Sequence, residues 1–366
     1  MRHMMRACLL VAILPACRGG SAPSPDRPLS SARASGAGAT LVLEDSVRLT
    51  ETDSSTIGEP NALAIGSRGE IFVADDYSAR VLEFTRAGQF VRAYGHKGNG
   101  PGELGRPLQL MLVGDSLLVV SHVRPDSPVV FDRRSGTWIT TGRVSGYIQT
   151  GQQVGDSLWF GVMSRKRVAS LASWTPGADS MHYFGPIPVE YTASARLWSI
   201  MPAAPFTVWS DTVAVGFAGV NYLLVLDGAG GVVDTINPPV ARRLGVPANL
   251  MEEYATEKGV EHYTGLSSIL MNVGRLSDGR LVLVHHDVTH RGDQFTATVY
   301  VSLVSADRQR ACVDARLDFS QDARPLGVIV GDRLVTFEQS TDGRDAASTV
   351  KSYRIDDSAC DWVAAG

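Results

Sequence analysis

The chain has 366 residues, a formal charge of −4 and 20% charged residues. A slightly acidic balance argues against a nucleic-acid partner, which would favour a basic protein. No internal stretch is long and apolar enough to cross a bilayer as a helix.

Met1 to Arg6 is a short basic start carrying Arg2 and Arg6, and Ala7 to Leu14 is apolar. That run is about half of what a spanning helix needs. A charged start, an apolar core and a small residue before the cut describe a secretory signal. It ends in Leu14-Pro15-Ala16-Cys17, which resembles the lipobox of bacterial lipoproteins. The resemblance implies a diacylglyceryl group on the Cys17 thiol, cleavage before it, and acylation of the new amino terminus. Each buried CH₂ of such chains contributes about 0.8 kcal/mol of membrane affinity. Arg18 follows, where Asp would signal inner-membrane retention in some Gram-negative bacteria, so the outer membrane is the expected site. Loss of residues 1–16 removes Arg2 and Arg6 and takes the formal charge from −4 to −6. Residues 17–40 are rich in Gly, Ser, Ala and Pro and read as a lipidated, flexible tether. The folded body is then residues 41–366, held to the membrane through the lipid anchor only.

Length alone suggests two domains, but an internal repeat overrides that. A tight turn followed by a strand recurs six times. The turns and strands are Arg68-Gly69-Glu70-Ile71-Phe72-Val73, Gly114-Asp115-Ser116-Leu117-Leu118-Val119 and Gly155-Asp156-Ser157-Leu158-Trp159-Phe160. They continue with Ser210-Asp211-Thr212-Val213, Asp278-Gly279-Arg280-Leu281 and Gly331-Asp332-Arg333-Leu334. Gly, Asp and Ser supply turn conformations, and the residues after them suit a half-buried strand. Apolar runs precede the turns, and third and fourth strands follow, as in Arg80 to Phe84 and Gln89 to Tyr94. Four antiparallel strands repeated six times predict an all-β, six-bladed β-propeller. The ring must close, and only residues 356–366 remain to complete the last blade. Leu41 to Leu49 reads as a strand ahead of the first full blade, so it is expected to supply the outer strand of blade six.

The cysteines bear on that closure. Cys312 and Cys360 sit at similar places in successive repeats. Stacked sheets lie about 10 Å apart, whereas bridged Cα atoms must be within roughly 7 Å. A disulfide, favoured by export, is feasible only if the N-terminal strand takes the outer place in blade six and frees the C-terminal tail to lean on blade five.

Blade one resembles the NHL repeat. The matching residues are Pro60 to Ile65, Gly69 to Asp75, Arg80 to Phe84 and Gly88, with Gly95 to Pro107 as the glycine-rich connector. The chain as a whole resembles the bacterial secreted six-bladed propellers related to NHL proteins. That resemblance implies a fold and a protein- or ligand-binding role, and it does not by itself imply chemistry.

Few motifs point to catalysis. Gly-x-Ser-x-Gly and His-Glu-x-x-His are absent. The glycines of 95–105 lack the following helix and Lys-Ser/Thr of a phosphate loop. Asp75 and Asp76 end a strand and read as turn caps that pair with Arg80. His285-His286-Asp287 with His290 is the only histidine cluster. Adjacent strand residues point to opposite faces, so His285 and His286 do not share one ion, and solvated loop histidines are expected. No cofactor and no metal are expected. The alternative is a calcium-dependent enzyme resembling gluconolactonase, with carboxylates and asparagines converging on the central channel.

Two insertions interrupt the repeat. Residues 190–204 hold Leu197, Trp198, Ile200 and Met201. Residues 239–268 contain a predicted helix over Pro247 to Lys258, with Gly259 near its end. Both join an outer strand to the next inner strand, and such connectors share one face with the loop after each second strand. That face is expected to hold Asp75, Asp76, Arg80, His122, Arg124, Arg165, Lys166, Arg167, His285, His286, Asp287, His290 and Arg291. It is richer in cations than the body, so the expected partner is a protein or an anionic or carbohydrate ligand, bound by a monomer without turnover. Substitution Cys17→Ala is expected to abolish fatty-acid labelling and to release the protein from membranes. A variant that still labels and still sediments with membrane rules the lipid anchor out.

Overall fold

The computed structural model of the chain describes residues 34–122, 127–144, 147–164, 169–200, 204–256, 262, 265–291, 294–317, 326–340 and 347–365. The expected alternation of strands and tight turns folds into six antiparallel sheets. Strand β1 spans Thr40–Arg48. Blade one is β2 (Pro60–Ile65), β3 (Ile71–Asp75), β4 (Arg80–Phe84) and β5 (Phe90–Tyr94). Blade two is β6 (Pro107–Val113), β7 (Leu117–His122), β8 (Ser127–Asp132) and β9 (Trp138–Thr141). Blade three is β10 (Tyr147–Val154), β11 (Ser157–Ser164), β12 (Ala169–Trp174) and β13 (His182–Phe184). Two short helices follow, α1 (Val189–Ala193) and α2 (Ala195–Ile200). Blade four is β14 (Phe206–Trp209), β15 (Thr212–Val215), β16 (Leu223–Leu226) and β17 (Val232–Ile236), and α3 (Leu250–Ala255) comes next. Blade five begins with β18 (Ile269–Arg275), β19 (Leu281–Arg291), β20 (Gln294–Val304) and β21 (Arg310–Leu317). Blade six holds β22 (Leu326–Val330), β23 (Arg333–Ser340) and β24 (Ala347–Asp356), and the last strand is β25 (Trp362–Ala364).

The first strands β2, β6, β10, β14, β18 and β22 neighbour one another in turn, and β22 returns to β2. The ring therefore closes around these inner strands. Its core lies between blades, where facing sheets interleave apolar side chains. One such layer joins Phe72 and Val81 of blade one to Leu118, Val120 and Phe131 of blade two. Another joins Leu82 and Phe84 of blade one to Phe337 and Val350 of blade six, across the closure.

Strand β1 takes the outer place in blade six, antiparallel to β24, with Leu41 opposite Ile355 and Arg48 opposite Thr349. Blade five departs from the four-stranded expectation. The tail turns back after blade six, and β25 pairs antiparallel with Arg310–Cys312 of β21 as a fifth strand. There a disulfide joins Cys312 to Cys360, with Cα atoms 5.9 Å apart.

The insertions also differ from expectation. The first insertion, for which the sequence predicts no element, carries α1 and α2 over Val189–Ala193 and Ala195–Ile200. The helix expected over 247–258 is shorter, because Pro247 to Asn249 form a turn first: the Leu250 N–H donates to the Pro247 carbonyl at 3.2 Å. Lys258 and Gly259 lie outside the described residues.

Each inner hairpin turns on one residue of positive φ. These are Gly69, Gly114, Gly155, Ser210, Gly279 and Gly331, with Ser210 at +58°. An L-residue with a side chain is strained there, at a cost of about 1 kcal/mol or more. Substitution Ser210→Gly should therefore raise stability by about 0.5–1 kcal/mol, after the entropy cost of glycine. Urea unfolding of the two proteins checks this, and an unchanged or lower midpoint contradicts it.

Candidate functional site

All six inner hairpins turn on one end of the propeller, the hairpin face. The loops from second to third strands and the connectors between blades lie on the other, the loop face. Both insertions fall there and meet over blade four. The Gly219 N–H, in the loop between β15 and β16, donates to the Tyr191 hydroxyl at 2.8 Å. The Tyr222 hydroxyl donates to Glu190 Oε2 at 2.8 Å. Leu197, Val246, Leu250 and Tyr254 are buried in one cluster with Phe217 and Val220. The insertions thus spend their aromatic and aliphatic residues on a cap over blade four. Leu197 is buried and Trp198 packs against the same cluster.

The described residues expected to form the ligand face hold the framework instead. Asp75 is fully buried. Its Oδ1 accepts the N–H groups of Gly58 and Glu59 at 3.1 and 2.7 Å, and its Oδ2 accepts from the Ser78 backbone and hydroxyl. Asp76 pairs with Arg106 at 2.7 Å rather than with Arg80. Arg80 donates to Ser78 Oγ and to the carbonyls of Ser54 and Thr56. These groups staple the loop after β1 to blade one. In the glycine-rich connector, the Glu103 carboxylate accepts the Gly100 N–H at 2.7 Å. The protein's own anion therefore sits where a phosphate reading would put a ligand.

His285 and His286 are not solvated loop residues. Strand β19 runs to Arg291 in continuous register with β20, because Val288 and Thr289 sustain the strand beyond the expected turn. His285 is 3% exposed and His286 9%. His285 lies opposite Leu270 and His286 opposite Ile269, so the two rings point to opposite faces of the sheet. Burial, then the charges of Arg243 and His286, hold His285 well below the usual histidine range. Burial alone pushes His286 down to about 4. Both are neutral at pH 7 and add no positive charge. Asp287 Oδ2 accepts the Leu244 N–H at 2.8 Å, and its Oδ1 accepts the Ser268 hydroxyl at 2.5 Å, which ties the second insertion to blade five. His122 is also buried, accepts the Gly105 N–H on Nδ1 at 3.1 Å, and is pushed down by burial. Arg124, Arg165, Lys166 and Arg167 lie outside the described residues, as does Cys17. His290 and Arg291 belong to β19, but their side chains lie outside them too.

Sequence reasoning missed a different set. Among the described residues, the exposed large apolar side chains fall into two groups. Val42, Leu43, Val91, Trp138, Ile139, Val232 and Val233 lie on the outer strands β1, β5, β9 and β17. Tyr77, Val189, Leu244 and Met271 lie on the loop face, with Tyr77 80% exposed. The hairpin turns carry none. Met271 is out of register: Leu270 pairs with His285 and Asn272 with Val284, so the strand bulges at Met271. Blades one to three bulge at the matching residues Asn61, Leu108 and Gln149. Such a bulge re-aims a side chain, and Met271 is left exposed. No aromatic or apolar periodicity marks these positions in sequence. Tyr77, an aromatic inside the polar loop Asp76 to Ser78, is the one that a reading of loop composition flags. Among the described residues no group of three or more His, Cys, Asp or Glu side chains is placed to hold a metal ion.

The fold defines a six-bladed β-propeller. A family model described as a 6-bladed beta-propeller matches residues 46–120. Among solved structures, the chain resembles a DUF4221-family member from Bacteroides vulgatus at 10% identity and a TM-score of 0.62, over 87% of this chain and 98% of that one. It resembles a Bacteroides fragilis protein described as exported at 11% identity and a TM-score of 0.60, over 89% and 99%. It also resembles virginiamycin B lyase from Staphylococcus aureus with quinupristin at 9% identity and a TM-score of 0.50, over 85% and 99%. At these identities the likeness is one of fold. No curated protein matches the sequence.

The buried histidines make acid stability testable. An unfolded histidine takes a proton near pH 6.5, whereas folded His286 resists it until about 4. Between those values the unfolded state binds more protons, so stability falls as pH falls. From pH 7 to pH 5 His286 should cost about 2 kcal/mol. Urea unfolding at both pH values should show a loss of stability on acidification, and His286→Gln should reduce that loss by about this amount. An equal loss in both proteins contradicts the assignment.

Proposed function

We propose that the protein is an exported, lipid-anchored binding module of the bacterial cell envelope, related to secreted NHL-type propellers, and that its loop face takes an apolar surface of a partner protein. The observation that carries this is the exposure of Tyr77, Val189, Leu244 and Met271 on the one face where inserted chain collects. Exposed apolar side chains are costly to display and mark interaction surfaces when they gather. Met271 and the aromatic Tyr77 are residue types suited to such contacts. An anionic ligand draws less support, because Arg80 and Arg106 are committed to the framework and burial holds His285 and His286 neutral. The lactonase reading needs carboxylates and asparagines converging on the channel, and among the described residues no group of three or more His, Cys, Asp or Glu side chains is placed to hold a metal ion. Lipidation at Cys17 supplies the anchor and places the module outside the cytoplasm.

The test is capture of partners from envelope extract by the wild-type protein and by Tyr77→Ala/Leu244→Ser/Met271→Ser. A partner that binds through this face should be retained by wild type and bound at least about tenfold more weakly by the triple variant, a loss of about 1.4 kcal/mol or more. The rim variant Val233→Ser should bind as wild type does. Equal loss in the rim variant, or full binding by the triple variant, overturns the assignment. Calcium-dependent hydrolysis of a lactone or ester by the wild type overturns the non-enzymatic reading.

A further inference from the structure

Both ends of the described chain finish on blade five. The C-terminal strand β25 makes only three residue pairs, with Arg310, Ala311 and Cys312. Beyond them its holds are the disulfide to Cys312, the ion pair of Arg280 with Asp357, the Ala365 N–H on the Gln309 carbonyl at 2.9 Å, the Arg310 guanidinium over the Trp362 ring, and the packing of Trp362 and Ala365 against neighbouring apolar clusters. A strand this short is marginal without a covalent hold. The N-terminal segment 34–39 runs beside it as a belt. The Ala37 N–H donates to Asp361 Oδ2 at 2.8 Å, and the Asp361 N–H returns to the Ala37 carbonyl at 2.9 Å. The belt continues to the connector after blade four: the Ala34 N–H meets the Val240 carbonyl at 2.6 Å, and Arg242 reaches the Gly36 carbonyl at 3.1 Å. Half of these four bonds depend on Asp361, the residue next to Cys360. By contrast β1, which closes the ring, takes its register from β24 over Thr40 to Arg48 and touches blade five through Leu41.

We propose that the Cys312–Cys360 disulfide is a redox-sensitive clasp governing both chain ends at once. On reduction β25 and the belt leave blade five together and expose the outer edge of β21, while the ring stays closed through β1. Cys312 is fully buried and Cys360 only partly, so attack falls on Cys360 Sγ. The reductant is a dithiol: an extracytoplasmic dithiol protein, or dithiothreitol in vitro. Its thiolate bonds to Cys360 Sγ, the Cys312–Cys360 bond breaks, and Cys312 leaves as a thiolate and takes a proton. The second thiolate of the reductant then displaces Cys360, which also takes a proton. Two electrons pass to the cysteines, and the reductant ends as its own disulfide.

The experiment is hydrogen exchange with mass spectrometry on the folded protein, with and without dithiothreitol. Two variants are compared with wild type: Cys312→Ser/Cys360→Ser and Asp361→Ala. Reduction and the double variant should speed exchange about tenfold or more in both 34–38 and 360–365, with blades one to four and β1 unchanged. Asp361→Ala, with the disulfide intact, removes only the carboxylate bond and should speed exchange at Ala37 while leaving β25 protected. Release of 360–365 without 34–38 breaks the coupling and overturns the proposal. Unchanged exchange at both ends overturns it as well. Loss of protection throughout the blades overturns it too, because the bond would then hold the ring rather than clasp its ends.

Discussion

Ring closure is the constraint on which this molecule depends. Each blade is a small twisted sheet with two apolar faces, and only its neighbours can bury them. A gap anywhere in the circle would expose a face on each side of the gap. The chain meets this by giving its first strand to its last blade, so that the cluster of Phe84, Phe337 and Val350 spans the seam. The backbone continues the same seam, where the Thr50 N–H meets the Gly88 carbonyl at 2.7 Å. Because β1 fills the outer place of blade six, the tail has no place there. It turns back to blade five, and that displacement brings Cys360 within bonding reach of Cys312.

A closed ring also divides surface from framework. Connectors on the loop face must be fastened, and buried carboxylates do this repeatedly. Asp314 is fully buried and accepts the successive N–H groups of Ala241, Arg242 and Arg243 at 2.6 to 2.8 Å. Asp75 and Asp287 do the same for other connectors. A carboxylate holding two or three N–H groups satisfies donors that would otherwise be buried unpaired. Polar residues near a propeller mouth are thus a poor guide to ligands in this chain. The side chains left over for recognition are the ones the framework does not use.

The fold was legible because its signals are local. Positive-φ turns require Gly, or Ser in one blade, at fixed offsets before β-branched runs, and these residues are plain in the sequence. Closure was legible by elimination, since eleven C-terminal residues and one orphan N-terminal strand compete for one place. The site was not legible to the same degree. Whether Asp75 faces a ligand or three backbone N–H groups depends on chain brought from Gly58 to Ser78. His285 and His286 looked solvated because the turn after them was placed too early. Met271 gave no signal because a one-residue bulge, invisible in sequence, reverses which way a strand residue points.

The outer strands carry a related feature. β1, β5, β9 and β17 each hold one residue more than their partner across one step, at Glu44, Val91, Ile139 and Val233. Three of these four are among the exposed apolar side chains of the rim. An outer strand is a row of unpaired N–H and C=O groups, and a neighbouring molecule can add to it and begin a fibre. A bulge twists that row out of line and turns a valine or isoleucine outward in the way of an incoming strand. Blade five is covered instead, by β25. On β5, β9 and β17 an exposed apolar residue of the rim thus sits on the bulge itself, where it obstructs edge-to-edge pairing, whereas the short outer strand β13 pairs with β12 without a bulge.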